Sequence, residues 1–445
     1  MVTEHKFGDI ETKNRIIKGA LSDRIRDNPS SMFYIWFASN LTVGDFALGF
    51  IPVYLGLSES YAILSMVLGT LAGGILLAYM SMLGSINHMP QMEMGKGPFG
   101  RIGGSFLALL QWGNTAGWLT VNVILSSFAL YEVLKIPYYF IILLIAVIVA
   151  LTAALGYRAI RALERYMSYV LGILFIVIII FMVLRHYTLI YSGSSSVSFI
   201  PAFGITFASA FSYIMSWGPY ASDYSRHQYS PKSSRKVFLF TLGGSALATV
   251  FAEIVGMFVA IGSGNPSGNP ATDLELVMGS FALAGMISLF LGGISANAIN
   301  LYSNSLSFIA MGFKTRRITG VIIATLFSVI LGIFGFTRFY GFYETFLFVL
   351  DYWITPWIGV MIAHFFLVHP NTSTMNNTKL NMAGVLSYLI SILISIPFMS
   401  PAGLFNMPIA SILGGVDISY FVSFFTSMIL YVYLYGKLEN RKLAV

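Results

Sequence analysis

Runs of about 20 apolar residues, the length that crosses the hydrocarbon core of a bilayer, recur along this chain with only short polar breaks between them. Twelve spans can be drawn, near residues 32–56, 61–88, 104–131, 137–156, 166–184, 201–221, 237–262, 276–311, 318–336, 341–366, 381–399 and 414–436. Backbone polar groups in hydrocarbon must be satisfied within the segment, so each span is read as a helix. The longest polar segment is residues 1–31, which lacks the apolar stretch of a signal peptide. Only 10% of residues are charged, against roughly 25% in a soluble domain. One transmembrane domain over 32–436 is therefore expected, with tails at 1–31 and 437–445.

Charge placement gives an orientation. Of the 25 Lys and Arg, all but Lys135, Arg185 and Arg338 fall in tails or loops on one side of this scheme. The positive-inside rule makes that side the cytoplasm, with both termini there and the chain in the plasma membrane. The net charge of +7 is thereby explained without nucleic acid. "RALER" (161–165) and "SSRK" (233–236) read as sites of attraction to anionic lipid. With no cysteine, disulfides and thiolate metal sites are excluded. "GKGPFG" (95–100) fits a nucleotide-binding pattern but joins two membrane spans rather than a strand and a helix. No metalloprotease motif occurs, and an enzyme is not expected.

Four spans carry small and polar residues in their interior: "WFASNLTVGDFALG" (36–49), "QWGNTAGWLTVN" (111–122), "FSYIMSWGPYASDYSRH" (211–227) and "GGISANAINLYSNS" (292–305). Small residues allow close packing and polar ones need partners, so these helices belong at the centre. The first and sixth spans are the most interrupted and lie five apart, so they cross in opposite senses. That is the offset of a five-plus-five inverted repeat with a broken first helix in each half, spans eleven and twelve being additional. In the sixth span the unwound stretch is expected at Ser212 to Gly218.

Among the acids inside spans, Asp45, Glu253 and Asp351 stand out in spans one, seven and ten. A charge at the helix centre costs about 2.5–3.5 kcal/mol on insertion scales. Asp45 follows the break in the first span, where it is suited to binding a cation or a proton, or to a protonated structural role. In the eighth span Asn297, Asn300 and Asn304 share a helix face. Each amide pairs a donor with an acceptor, as reading the edge of a nucleobase requires; a ladder between helices is the alternative. Ser295 offers a hard oxygen for sodium beside main-chain carbonyls of the first span, at Asn40 and Val43. Gln111, Asn114, Trp118 and Asn122 also share a face. Trp118, in mid-span, is suited to stacking on a flat ring or to filling the core.

With these residues in view, "WFASN", "GWLTVN", the Asn-rich eighth span and above all "SWGPYASDYSR" resemble the purine-cytosine permeases of the nucleobase:cation symporter-1 family, over about Phe33 to Phe366. The resemblance implies an all-α integral membrane fold of twelve helices, the five-plus-five inverted repeat of sodium-coupled transporters. It also implies import of a nucleobase or related heterocycle with a cation and without a cofactor. Trp118 and Asn122 match the family's stacking tryptophan and the amide one turn later, and Asn297 and Asn300 look like the asparagines that bond the base. The family's second aromatic lands on Ile214, with Tyr213 and Trp217 nearest, and Ser212 joins them in the unwound stretch. Ser295 stands between Ile294 and Ala296 where some sodium-binding members have two adjacent hydroxyls, and Asp45 stands where relatives carry a small or hydroxyl residue. The coupling ion is a proton or sodium. The residues leave two alternatives, an amino-acid permease of the same fold and a channel or solute sensor. Asp223 and Arg226 are expected to be structural or gating residues.

Overall fold

A computed structural model of the chain describes residues 28–184, 197–228, 233–264, 269–313, 316–335, 339–369, 378–401 and 404–442. Arg185, Arg338, nearly all of the first tail and the last residues of the second lie outside these. Among the described residues nine helices are long and apolar enough to cross a membrane, and three shorter apolar stretches, Val43–Tyr54, Tyr138–Ala154 and Met382–Phe398, fall at spans one, four and eleven.

Both expected breaks are present, and side chains account for each. The first span runs as Ser31–Ala38, opens over 39–42, and resumes as Val43–Leu48 and Phe50–Tyr54. The Ser39 hydroxyl donates to the Ile35 carbonyl at 2.8 Å and the Asn40 amide to that of Trp36 at 2.7 Å, satisfying the end of the first piece. Thr42 Oγ1 then accepts the N–H groups of Gly44 and Asp45, at 3.0 and 3.3 Å, and caps the next. The sixth span is helical over Phe199–Met215, forms a tight turn at Gly218–Tyr220 and resumes as Ser222–Ser225. Its opening therefore starts at Ser216 rather than Ser212. Pro219 has no N–H to give the Met215 carbonyl four residues earlier, and the helix ends there.

Other limits also differ from the sequence reading. The third helix, Lys96–Leu134, begins earlier than expected and is kinked at Gly100, where φ is +74°. The fifth, Tyr157–Leu184, begins two turns earlier. The eighth is two pieces, Pro270–Met278 and Ala282–Ala310, joined through Gly279 at φ +56°.

Helix packing follows the inverted-repeat relation in which each of the first five helices corresponds to the one five later. The first helix packs on the seventh, Ser234–Gly262, and the sixth on the second, Glu59–Asn87; the relation exchanges these two contacts. The third packs on the eighth, and the fourth, Tyr138–Leu155, on the ninth, Arg317–Gly335. Each of these pairs is carried into itself. Glycines make the close contacts in both halves. A Cβ at Gly256 of the seventh helix would lie 1.9 Å from the Phe46 carbonyl oxygen, and one at Gly73 of the second 2.5 Å from that of Phe211. Each broken helix thus rests its backbone on the other repeat. The eleventh, Met382–Ser395, and twelfth, Ser419–Lys442, pack on each other and on the tenth, Phe339–Ile362.

Candidate binding site between the broken helices

Trp118, on the third helix, stands in a box of rings perpendicular to its own. Its ring centroid is 5.2 Å from Tyr213, 5.3 Å from Phe346 and 6.5 Å from Tyr343, at interplanar angles of 84°, 72° and 83°. The preceding residue, Gly117, admits the tenth helix: a Cβ there would come 2.7 Å from the Phe346 ring. The sixth helix supplies Tyr213 and the tenth supplies Tyr343 and Phe346.

Amides join this box to the eighth helix. Asn297 Nδ2 donates to the Leu119 carbonyl at 3.1 Å, and its Oδ1 accepts from Asn122 and Asn300, both at 3.3 Å. The Tyr220 hydroxyl, in the sixth-span break, donates to Asn300 Oδ1 at 2.8 Å. Several buried polar atoms have no partner among the described residues: the donors Trp118 Nε1, Trp217 Nε1 and Gln111 Nε2, and the acceptors Asn114 Oδ1 and Asn122 Oδ1. Buried polar groups ordinarily find partners, so these atoms are open to a polar ligand. Asn304 turns away, donating to the Trp112 carbonyl at 2.8 Å and to Thr115 at 3.0 Å, and is a packing residue.

Asp45 ties the two breaks together. Its Oδ2 accepts from Thr42 at 2.8 Å and from the Tyr213 hydroxyl at 2.7 Å, and the Tyr343 hydroxyl reaches the Gly44 carbonyl at 3.2 Å. The other two expected acids are also buried and bonded between helices. Thr70 of the second helix donates to Glu253 at 3.2 Å, and Ser212 donates to Asp351 of the tenth.

Not every expected site residue faces the box. Because the sixth helix stays regular through Met215, placing Tyr213 against Trp118 turns the next residue, Ile214, about 100° away. Its methyl groups lie against Gly73 and Gly74, so the Ile214 assignment is corrected to a packing role. Ser212 is likewise turned towards Asp351. Trp217 packs on Trp36 at 5.7 Å and Tyr220 at 5.4 Å, below the box. The Asn40 amide caps the first helix, and Val43 opens the following helical piece. Ser295 donates at 2.5 Å to a carboxylate that the sequence reading assigned to the lipid surface, Glu164.

The residues missed were Thr42, Tyr220, Tyr343, Phe346 and Glu164. Glu164 had a readable signal: it lies four residues from Ile160 and Ser168 and seven from Leu171, along one helical face, and all four are buried.

The C-terminal end of the sixth span is held by a separate latch. Asp223 accepts the Gln91 N–H at 3.0 Å, and Gln91 Oε1 accepts the Ser222 N–H at 3.0 Å. Arg226 donates to the Tyr302 hydroxyl at 3.1 Å, and the His88 ring lies 3.2 Å from the Arg226 carbonyl. His227 stacks on Tyr157 at 3.9 Å. Burial and the neighbouring Arg226 push His227 down to about 3, so it sits there uncharged at neutral pH.

Comparison with known proteins agrees with this architecture. A family model described as "Permease for cytosine/purines, uracil, thiamine, allantoin" matches residues 24–423. The putative purine-cytosine permease YxlA of Bacillus subtilis (strain 168) is 22% identical over 97% of this chain and 98% of its own. The purine-cytosine permease FCY2 of Saccharomyces cerevisiae is 24% identical over 84% of this chain and 74% of its own. Among solved structures, the nucleobase-cation-symport-1 family transporter Mhp1, closed with bromovinylhydantoin bound, superposes with a TM-score of 0.76, at 18% identity and 93% coverage of both chains. Its inward-facing form gives 0.71, at 16% identity and coverage of 93% of this chain and 91% of that one. With the family match spanning most of the sequence, this chain belongs to the permeases for cytosine/purines, uracil, thiamine and allantoin.

Proposed function

We propose that the chain imports a nucleobase or closely related heterocycle together with a cation, by alternating access, as a multi-pass protein of the plasma membrane with twelve crossings and both termini in the cytoplasm. The observation that carries the substrate class is the set of unpartnered buried donors and acceptors around Trp118. A nucleobase presents both kinds of group on the edge of a flat ring. In this reading Trp118 takes a face of the ring and Tyr213, perpendicular to it, borders it, while Asn122, Asn297 and Asn300 bond its edge, and Trp217 and Tyr220 floor the site. Tyr343 and Phe346 close it from the tenth helix.

Asp45 acts at the joint. It accepts from both broken helices at once, so a change in its bonding is felt by the two segments whose movement opens the site. The cation, a proton or sodium, supplies the driving force; no cofactor is assigned. Substrate affinity must differ between the outward and inward forms for the cycle to turn.

The test is counterflow into liposomes holding purified protein, with cytosine, adenine, uracil, hydantoin and amino acids offered in turn. Exchange of one heterocycle and no amino acid supports the reading. Exchange of amino acids alone refutes it, and flux of every solute without saturation identifies a channel.

A further inference from the structure

The transport cycle above gives Glu164 no task, yet its placement calls for one. The side chain is fully buried on the fifth helix, in the stripe formed by Tyr157, Ile160, Ser168 and Leu171. Its Oε2 accepts the Ser295 hydroxyl at 2.5 Å, and its Oε1 has no partner among the described residues. Neither ion pair among the described residues, Lys96–Glu93 or Lys135–Glu132, includes it.

The charged and titratable groups around it are occupied elsewhere. On its own helix Arg158 and Arg165 are exposed, Arg165 over the Tyr34 ring at 5.9 Å, and Arg161 lies off the buried stripe. Tyr157 stacks on His227. From the eighth helix, Tyr302 takes Arg226. From the ninth, Arg317 donates to the Ala153 and Ala154 carbonyls of the fourth at 2.7 and 2.8 Å. On the first span Asp45 is bonded to Thr42 and Tyr213, and on the seventh Glu253 to Thr70. A carboxylate this deep with no cationic partner is costly to leave bare.

Oxygen atoms collect beside it. Ser295 lies one turn beyond Gly292, where the Leu41 carbonyl of the first-span break packs so closely that a Cβ would sit 2.3 Å from its oxygen. No main-chain hydrogen bond among the described residues ends on the carbonyls of Ser39, Asn40 or Leu41, and Asn40 Oδ1 is also unpartnered. The first helix packs on the fifth, so the carboxylate faces a seam shared by the first, fifth and eighth helices.

We propose that Glu164 is the coupling residue of this chain: its carboxylate, together with Ser295, binds the transported monovalent cation against the opened first span. Binding neutralises the acid and joins the first repeat, which carries Glu164, to the second, which carries Ser295. The proposal rests on the cation-symport reading and adds one residue to it, Glu164, at the cation position that the sequence already offers beside Ser295.

Wild type, E164Q and E164D are purified, checked for monodispersity and placed in liposomes. Cytosine counterflow by wild type tests transport itself, so its failure counts against the substrate reading and leaves cation binding to a second readout. That readout is the melting temperature of detergent-purified protein titrated with NaCl or pH alone. Wild type is expected to be stabilised by one of the two cations and to accumulate cytosine under an inward gradient of the same cation. E164Q is expected to lose both the stabilisation and accumulation above the equilibrium level, with any remaining exchange indifferent to sodium and pH. E164D, should E164Q not fold, is expected to raise the sodium concentration or proton activity at half-effect about tenfold. An E164Q protein that accumulates cytosine with wild-type cation dependence overturns the proposal, as does an E164D protein with an unchanged half-effect point or a wild type that responds to neither cation.

Discussion

The glycine contacts between repeats make a sharp prediction, because one substitution can be made at two places on the same helix with opposite expected results. Gly256 lies where a Cβ would be 1.9 Å from the Phe46 carbonyl oxygen and 2.9 Å from the Phe46 carbonyl carbon. Real Cβ–oxygen contacts need more than 3 Å, so G256A must push the first and seventh helices apart by about 1 Å in a close-packed interior. Overpacking of this kind costs about 1–3 kcal/mol. Gly243, on the lipid-facing side, has no atom within 4 Å of the added methyl. G243A should be neutral or stabilising by up to about 1 kcal/mol, since alanine is the better helix former. Melting curves of the two proteins in one detergent measure the difference, with G256A expected several degrees below wild type and G243A at or above it. The displaced segment of the first helix includes Asp45, so G256A should also weaken cation-dependent uptake while G243A leaves it intact. Equal melting temperatures for the two variants would refute the close approach of the repeats.

Three further outcomes follow from the site. W118A should weaken heterocycle binding about 5- to 150-fold, the range of a lost stacking contact of about 1–3 kcal/mol, and equilibrium binding to purified protein checks it; a change under twofold removes Trp118 from the site. Y220F leaves Asn300 Oδ1 without the donor it now has at 2.8 Å. A buried acceptor left unsatisfied costs about 1–3 kcal/mol, so the melting temperature of the detergent-purified protein should fall with the aromatic floor preserved, and an unchanged melting temperature removes this bond from the packing of the site. Q91A removes the acceptor of the Ser222 N–H and should favour the cytoplasm-open form. Because the chain has no native cysteine, S303C reports this directly, with maleimide labelling expected to be faster in Q91A/S303C than in S303C alone.

How much of this was legible in the sequence depended on the physical signal involved. Helices, their order and the broken first and sixth spans came from apolar runs and from polar residues within them, which in hydrocarbon have few meanings. The start of the sixth-span opening was missed by four residues because Ser, Tyr and Ser at 212, 213 and 216 suggest unwinding, whereas Pro219 decides it through the one N–H it lacks. Ile214 was misplaced for the same reason: its direction depends on whether the helix is still regular. The aromatics of the tenth helix were not found, since Tyr343 and Phe346 in a Phe- and Tyr-rich span carry no sign of which neighbour they meet. Glu164 was hidden by three arginines around it, although its spacing from Ile160 and Leu171 put it on the buried stripe and the arginines off it.

The latch and the site together indicate how binding at one place can govern opening at another. The C-terminal end of the sixth span is held by hydrogen bonds at Gln91–Asp223, Ser222–Gln91, Arg226–Tyr302 and His88–Arg226. At about 1 kcal/mol net each, they contribute about 4 kcal/mol to holding this arrangement. Moving a two-state equilibrium from 1:99 to 99:1 takes about 5.5 kcal/mol of differential affinity, so the latch is within reach of a bound heterocycle and cation acting together. Neither ligand needs to touch it. Tyr213 of the site and Ser222 of the latch are on the two pieces of one broken span, and Asp45 links the first piece to the other repeat. On the proposed cation coupling, a shift of the first span would reach the latch through the turn at Gly218–Tyr220, whose Tyr220 also bonds Asn300. On this reading the break in the sixth span is both part of the recognition surface and the joint that carries occupancy to the latch.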